Sequence, residues 1–249
     1  MNDDAASALE PWSARSAELY EFIHDANRAR ADADRLHEMI REVNPDARSL
    51  LDVACGTGWH LERLRDWYAV EGVDASPAML EIAGRRLGDV SLHLGDMRSF
   101  ELGKRFDVVT CLSSSIAHMR TGEDLRRAVR TMARHLTEGG LLVLEPWDFP
   151  EASRDERPWV HTVEWDDRSV ILMETTTLDG QLWRQDTHLL LWRHGGPIEH
   201  LLERTTLGAF TKDDHVRALE EAGLSVRFDE SGLLGRGLFL GRTPSAKSD

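Results

Sequence analysis

Three acids close three successive apolar runs: Asp52 ends SLLD, Asp74 ends AVEGVD and Asp96 ends VSLHLGD. Between the first two lies CGTG, whose Gly56 and Gly58 lack a Cβ and so let a ligand come close to the backbone. A dinucleotide site wants a third glycine in G-x-G-x-x-G, and here that position is Leu61, which argues against a pyrophosphate. Asp52, four residues before Gly56, suits an ammonium group instead. Asp74, eighteen residues after Gly56, has the spacing of a carboxylate that accepts two ribose hydroxyls. Asp96 could take the exocyclic amine of an adenine, with Met97 beside the ring. One such acid is usually a helix cap or a solvated strand end. Three on one rim point to a nucleoside that carries a cation.

That rim requires strands that all end on one side. Residues 8–43 read as helical, with AELYEFI and DRLHEMIREV placing apolar residues three and four apart before Asn44-Pro45-Asp46 breaks the pattern. From Ser49 onward, strand-like runs alternate with amphipathic stretches: SLLDVA, AVEGVDA, VSLHLGDM, FDVVTCLSS and GLLVLEPW, separated by WHLERLRDW, SPAMLEIAGRRL and EDLRRAVRTMARHL. Ser76 is placed to cap the second of these helices with Pro77 at its first position, and Glu138-Gly139-Gly140 to close the third. Regular strand–helix alternation predicts an α/β fold with a doubly wound, mostly parallel sheet. The stretches VHTVEWDDRSVILMETTTL, QLWRQDTHLLLWRHG and HLLERTTLGAF alternate with period two around Asp179-Gly180 and Gly195-Gly196, which predicts an antiparallel addition. A helix over TKDDHVRALEEAG and two strands, LSVRFDE and GRGLFLGRT, complete the chain. The expected division is a helical cap at 1–48, a binding domain at 49–150 and 206–243, and an antiparallel β insertion at 151–205.

At 249 residues and 41% apolar composition, the chain can bury one sizeable core. Its net charge of -14 disfavours a nucleic-acid partner, and any anionic substrate would need local arginines. No membrane partner is expected, since no apolar run approaches twenty residues. Cys55 and Cys111 lie in apolar segments without metal-ligand spacing, so no metal site is expected and a reduced, cytoplasmic chain is.

LLDVACGTG, VDASPAML, GDMRSF, FDVVTCLSSS and LTEGGLLVLE resemble the successive motifs of class I S-adenosylmethionine-dependent methyltransferases over roughly residues 49–146. The resemblance implies their seven-stranded Rossmann-like sheet and S-adenosyl-L-methionine as cofactor, leaving S-adenosyl-L-homocysteine. It also implies a pocket drawn from Tyr20, Asp52, Ala54, Cys55, Gly56, Gly58, Asp74, Ala75, Met79, Asp96, Met97 and Ser113. With AELY, SSSIAHMR, LEPWDFPE and GLLGRGLFLG added, nearly the whole chain resembles the enzymes that N-methylate TDP-linked amino sugars, the desosamine and mycaminose makers. This implies dimethylation of a sugar amine in secondary-metabolite or antibiotic assembly, by a homodimer to which the antiparallel segment contributes.

Methyl transfer from a sulfonium is an in-line displacement, so the protein chiefly aligns the nucleophile and excludes water. His118, after the fourth strand, matches the family's histidine and is the candidate base or orienting group. Tyr20, by the AELY match, should lie over the active site and orient substrate or sulfonium. Arg236 matches an arginine facing the nucleotide's phosphates, a role for which a guanidinium fork is suited. Trp147 could wall the sugar, and Glu145 could hold the amine or a neighbouring hydroxyl. A small-molecule O-methyltransferase, more dependent on His118 as base, stays open, as does a cofactor-binding regulator without turnover.

Overall fold

The computed structural model describes residues 14–23, 26–151, 157–233 and 235–244. Its central sheet is built from buried runs. β1 (Ser49–Val53), β2 (Ala69–Asp74), β3 (Ser91–Leu94), β4 (Phe106–Cys111) and β5 (Leu136–Leu144) are parallel. β10 (Ser225–Asp229) and β11 (Leu238–Arg242) extend the edge beyond β5, and β11 runs antiparallel to both its neighbours. The order is β10-β11-β5-β4-β1-β2-β3. The chain therefore winds outward in one direction from β1 and in the other from β4, and the C-terminal ends of that pair form the switch point where such sheets take ligands.

Alternate residues of each strand feed two cores. Leu50, Val108, Leu141 and Val143 pack against α2 (Ala26–Val43), α3 (Trp59–Leu64) and α4 (Pro77–Leu87). Leu51, Val109, Cys111 and Leu142 face α5 (Gly122–Arg134) and α6 (Lys212–Glu221). α5 buries Leu125, Ala128, Val129 and Met132, the i, i+3, i+4, i+7 stripe of a helix lying on a sheet. Each buried leucine contributes about 1.5–3 kcal/mol, against ~0–1 kcal/mol for an exposed pair such as Arg85–Glu81. The apolar cores, not the surface charges, fix the rim. Capping sets the helix starts: Ser76 accepts the Met79 N–H with Pro77 next to it, Thr121 accepts that of Asp124, and Thr211 and Asp214 form a capping box.

Within 8–43, read as helical, the structure has α1 (Ala14–Ile23) and α2, and residues 8–13 and 24–25 lie outside the described segments. Two boundaries differ from expectation. α5 ends at Arg134, and Glu138-Gly139-Gly140 lies inside β5 instead of capping the helix. There the register against β4 jumps from Phe106↔Leu136 to Val108↔Leu141, so the glycine pair, with Gly139 at φ 68°, absorbs an irregularity. The first long β stretch is a hairpin. β6 (Trp159–Trp165) and β7 (Arg168–Asp179) turn at Asp166-Asp167, and β8 (Leu182–Arg193) and β9 (Glu199–Gly208) follow as a four-stranded antiparallel sheet.

This second sheet has two unlike faces. Val170, Leu172, Leu189 and Leu191 are buried beneath Leu19 and Ile23 of α1. On the other face Ile171, Met173, Leu190 and Leu202 are exposed. At its far end Trp183 and Leu207 pack on Ala117, within the 3-10 turn Ser115–His118 that follows β4. Gly208 completes the junction: a Cβ there would lie 2.2 Å from the Met119 carbonyl. Among the described residues no helix is long and apolar enough to cross a membrane.

Candidate active site

The glycine turn after β1 is held by Asp74 from the neighbouring strand. One carboxylate oxygen accepts the Gly56 N–H at 2.8 Å and the other accepts the Ser76 N–H at 2.8 Å. Burial raises the Asp74 carboxyl above its ordinary value, against the N–H groups of Ser76, Gly56 and Ala75. A carboxylate has about four lone-pair positions, so these two bonds leave acceptor capacity at a group that is 9% exposed. Ala54, Gly56 and Gly58 all have positive φ, of 59°, 54° and 84°.

The two glycines do different work. A Cβ on Gly56 would meet only Tyr20 Cε1 at 3.9 Å, so its missing side chain opens space beneath that ring. A Cβ on Gly58 would lie 2.8 Å from Leu87 Cδ1, so Gly58 serves the close packing of α3 on α4. Cys55 points inward as well, since a Cβ on Gly72 would be 2.7 Å from its Sγ. Its backbone is what it can offer a ligand. Met79 and Met97 are buried, and Ala75 is half-buried.

Beneath the turn lies Asp52, 2% exposed, accepting the Thr110 hydroxyl at 2.7 Å. Burial raises its carboxyl to about 7; the Thr110 bond opposes this and the charge of Asp74 adds to it. Tyr20 faces the same two acids. Burial first, then Asp74 and Asp52, push its phenol far above the ordinary value, so it is a neutral donor. Asp96 stands apart from this group. Arg98 embraces it, with Nη2 2.6 Å from Oδ2 and Nε 3.0 Å from Oδ1, and also reaches Asp124 at 3.3 Å. Burial would raise the Asp96 carboxyl, but the Arg98 fork outweighs it and holds it below its ordinary range.

The acceptor side forms at the ends of β4 and β5. Ser113 and Ser114 take positive φ, 50° and 59°, which turns the Ser113 N–H onto Glu145 Oε2 at 2.7 Å. The other oxygen of Glu145 is buried without a partner among the described residues. Burial pushes this carboxyl to about 7, against the Ser113 N–H and the charge of Arg236. The Arg236 guanidinium lies 4.5 Å from the centroid of Trp147 and pairs with Asp148 at 3.1 Å and with the Ser114 hydroxyl at 3.4 Å. His118 is half-buried in the 3-10 turn, and burial, then Arg120, lowers its imidazole below the ordinary value.

Tyr20, Asp52, Gly56 and Asp74 thus converge, as do Ser113, Glu145, Trp147 and Arg236. Several partners were not singled out from the sequence: Thr110, Ser114, Asp148 and Arg98. Thr110 alone carried a signal, as a lone hydroxyl in the buried run FDVVTC. An acid able to accept a ribose diol at the switch point, a turn open beneath Tyr20 and the buried Asp52 carboxyl below it fit an aminoacyl nucleoside.

This sheet order, with an open glycine turn and acids on its rim, defines an S-adenosylmethionine-dependent methyltransferase, and a methyltransferase-domain model matches residues 50–140. The chain is 41% identical over 97% of its length to the dTDP-4-amino-2,3,4,6-tetradeoxy-D-glucose N,N-dimethyltransferase of Saccharopolyspora spinosa, covering 98% of that protein. It is also 41% identical to the dTDP-3-amino-3,6-dideoxy-alpha-D-glucopyranose N,N-dimethyltransferase of Streptomyces fradiae, over 96% of this chain and 94% of the other. Its fold matches that of the SAM-bound CalS10, an amino pentose methyltransferase from Micromonospora echinaspora involved in calicheamicin biosynthesis. The TM-score is 0.83 at 35% identity, over 97% of this chain and 99% of that one. The chain belongs to the family of dTDP-amino-sugar N,N-dimethyltransferases.

Proposed function

We propose that this enzyme transfers two methyl groups in succession to the amine of a TDP-linked amino sugar, in the making of an antibiotic or similar metabolite. The observation that carries the reading is the Arg236 guanidinium, set over Trp147 and beside Glu145 at the sheet rim of an otherwise acidic chain. That pairing suits a diphosphate at one end and the sugar amine at the other.

S-adenosylmethionine supplies the sulfonium methyl. Asp74 takes the ribose hydroxyls, Asp52 the ammonium, and Asp96, with Met97, the adenine edge. Ala54, Cys55 and Ala75 add backbone, Met79 packing, and Ser113 lies along the adenosine. Tyr20 covers the glycine turn. Glu145 holds the amine. His118, neutral at pH 7 because burial lowers it, receives the proton the amine sheds or orients the sugar. Positioning and exclusion of water are the main contributions, since the leaving group is already good.

Residues 1–48 act as a cap on the binding domain, 49–150 with 206–243, and the 151–205 insertion joins two copies through the exposed face bearing Ile171, Met173, Leu190 and Leu202. We place the enzyme in the cytoplasm, where its two free thiols remain reduced.

The test is mass spectrometry of TDP-3-amino and TDP-4-amino sugars incubated with enzyme and S-adenosylmethionine, alongside hydroxyl acceptors. Gain of two methyls on an amine is expected. Methylation of hydroxyls alone would establish the O-methyltransferase instead.

A further inference from the structure

Tyr20 can cover the glycine turn only if α1 is held in place, and one cation spans the parts that must stay together. Arg86 stands on α4 with its side chain 13% exposed. Its Nε donates to the Thr57 carbonyl at 3.0 Å, the middle residue of the turn. One terminal nitrogen pairs with Glu21 of α1, and the other lies 3.7 Å from Glu62 of α3. The guanidinium carbon sits 3.3 Å from the centroid of Trp59, at the start of α3. α1, α3, α4 and the glycine turn therefore meet on one side chain. Only a planar, permanently charged fork can accept an aromatic face while bonding in three directions.

We infer that Arg86 is a positioning residue: it clasps α1 over the glycine turn and so sets Tyr20 against the bound aminoacyl nucleoside. Glu21 makes the clasp sensitive. One of its carboxylate oxygens meets Arg86, and the other is buried with no partner among the described residues. Without Arg86 this carboxylate, 26% exposed on its side chain, loses its direct ion-pair partner while its inner oxygen stays shielded from water. The simplest relief is for α1 to lift until water reaches that inner oxygen from the groove lined by Glu18, Glu21, Glu62, Arg85, Arg86 and Arg193. The lift carries Tyr20, the adjacent residue, off Gly56. The opposite side of α1 is tied to the antiparallel sheet through Leu19 and Ile23, with Ser16 bonded to Glu203. Arg86 is thus a tie on the cofactor side.

The inference rests on the proposed placement of the cofactor at the glycine turn, and the experiment separates the two. Affinity for S-adenosylhomocysteine is measured by calorimetry, and amide exchange of peptides covering 14–23 by mass spectrometry, for Arg86→Met, Arg86→Lys and Arg86→Met with Glu21→Gln. Arg86→Met should weaken binding about tenfold, less than the full loss of a buried ion-pair partner because Glu21 is part-exposed. It should speed exchange in α1 while leaving β1 and β4 protected. The double variant, which removes the stranded charge but not the missing tie, should recover only part of both, and lysine should fall between Met and the parent. Should Arg86→Met not fold, Glu21→Ala gives the milder loosening, since Arg86 keeps Glu62, the Thr57 carbonyl and the Trp59 ring, and unchanged affinity and α1 exchange there would overturn the clasp. Wild-type affinity in Arg86→Met would overturn the clasp, as would weakened binding with α1 exchange unchanged, or a double variant that binds like the parent. If instead Asp74→Ala leaves affinity intact, the placement of the cofactor is what fails.

Discussion

Thr110 donates a 2.7 Å hydrogen bond to Asp52 across two parallel strands, beneath the glycine turn and out of reach of bulk water. That single bond is the neutral support of a carboxyl that burial brings to about 7. The site therefore changes charge within the physiological range before any ligand arrives.

A cationic ligand needs Asp52 ionised, so binding below pH 7 must expel a proton. Affinity for S-adenosylhomocysteine should rise up to tenfold per pH unit from about 5.5 to about 7 and then level off. In Asp52→Asn the slope should vanish. Calorimetry across that range checks it, and a parent protein with flat affinity would show that Asp52 does not meet the ammonium.

Asp74 combines holding the turn with accepting the ribose. Asp74→Ala should weaken S-adenosylhomocysteine binding on the order of a hundredfold, from the loss of two charge-assisted hydrogen bonds at about 1.5 kcal/mol each. Unchanged affinity in a titration would count against the assignment.

Glu145 should leave a mark on stability. Its carboxyl is at about 7 when folded against an ordinary 4.5, so between those pH values the folded chain keeps a proton that the unfolded chain has released. Stability is lost as pH rises through this window, by roughly 3 kcal/mol in total for a group 1% exposed. Glu145→Gln lacks the ionisation, so its Tm relative to the parent should improve steadily from pH 4.5 to pH 7. A constant difference would mean that the carboxyl is not perturbed.

Arg236 should separate the two substrates. Arg236→Ala should raise KM for the nucleotide sugar about tenfold or more while leaving that for S-adenosylmethionine near the parent's, and Arg236→Lys should restore only part, since an ammonium lacks the fork. Equal effects on both constants would remove the diphosphate role.

The exposed face of the antiparallel sheet predicts self-association. Leu190→Asp should halve the mass measured by light scattering, because it sets a charge amid Ile171, Met173 and Leu202. A parent already monomeric would refute the proposed dimer.

The central sheet was legible because a parallel strand covered on both faces is a continuous apolar run, as in SLLDV or FDVVTC. The Asp166-Asp167 hairpin was not, since neither turn residue is a glycine and the alternation runs on through it. Gly139-Gly140 looked like a helix stop because a bulge and a C-cap ask for the same backbone freedom. In the site, acids at strand ends could be located by spacing alone. Their partners could not: Thr110 is 58 residues from Asp52, and Asp148 is 88 from Arg236. Such pairs exist only once the strands are laid side by side.

Gly208 has a longer reach than its size suggests. With the Met119 carbonyl 2.2 Å from where a Cβ would sit, and the Phe210 ring at 2.4 Å, no other residue fits without displacing the turn that carries His118. Descent can retune acceptor choice around this point, but not at it. A library that randomises the chain should recover new specificities from many positions while this one returns only glycine.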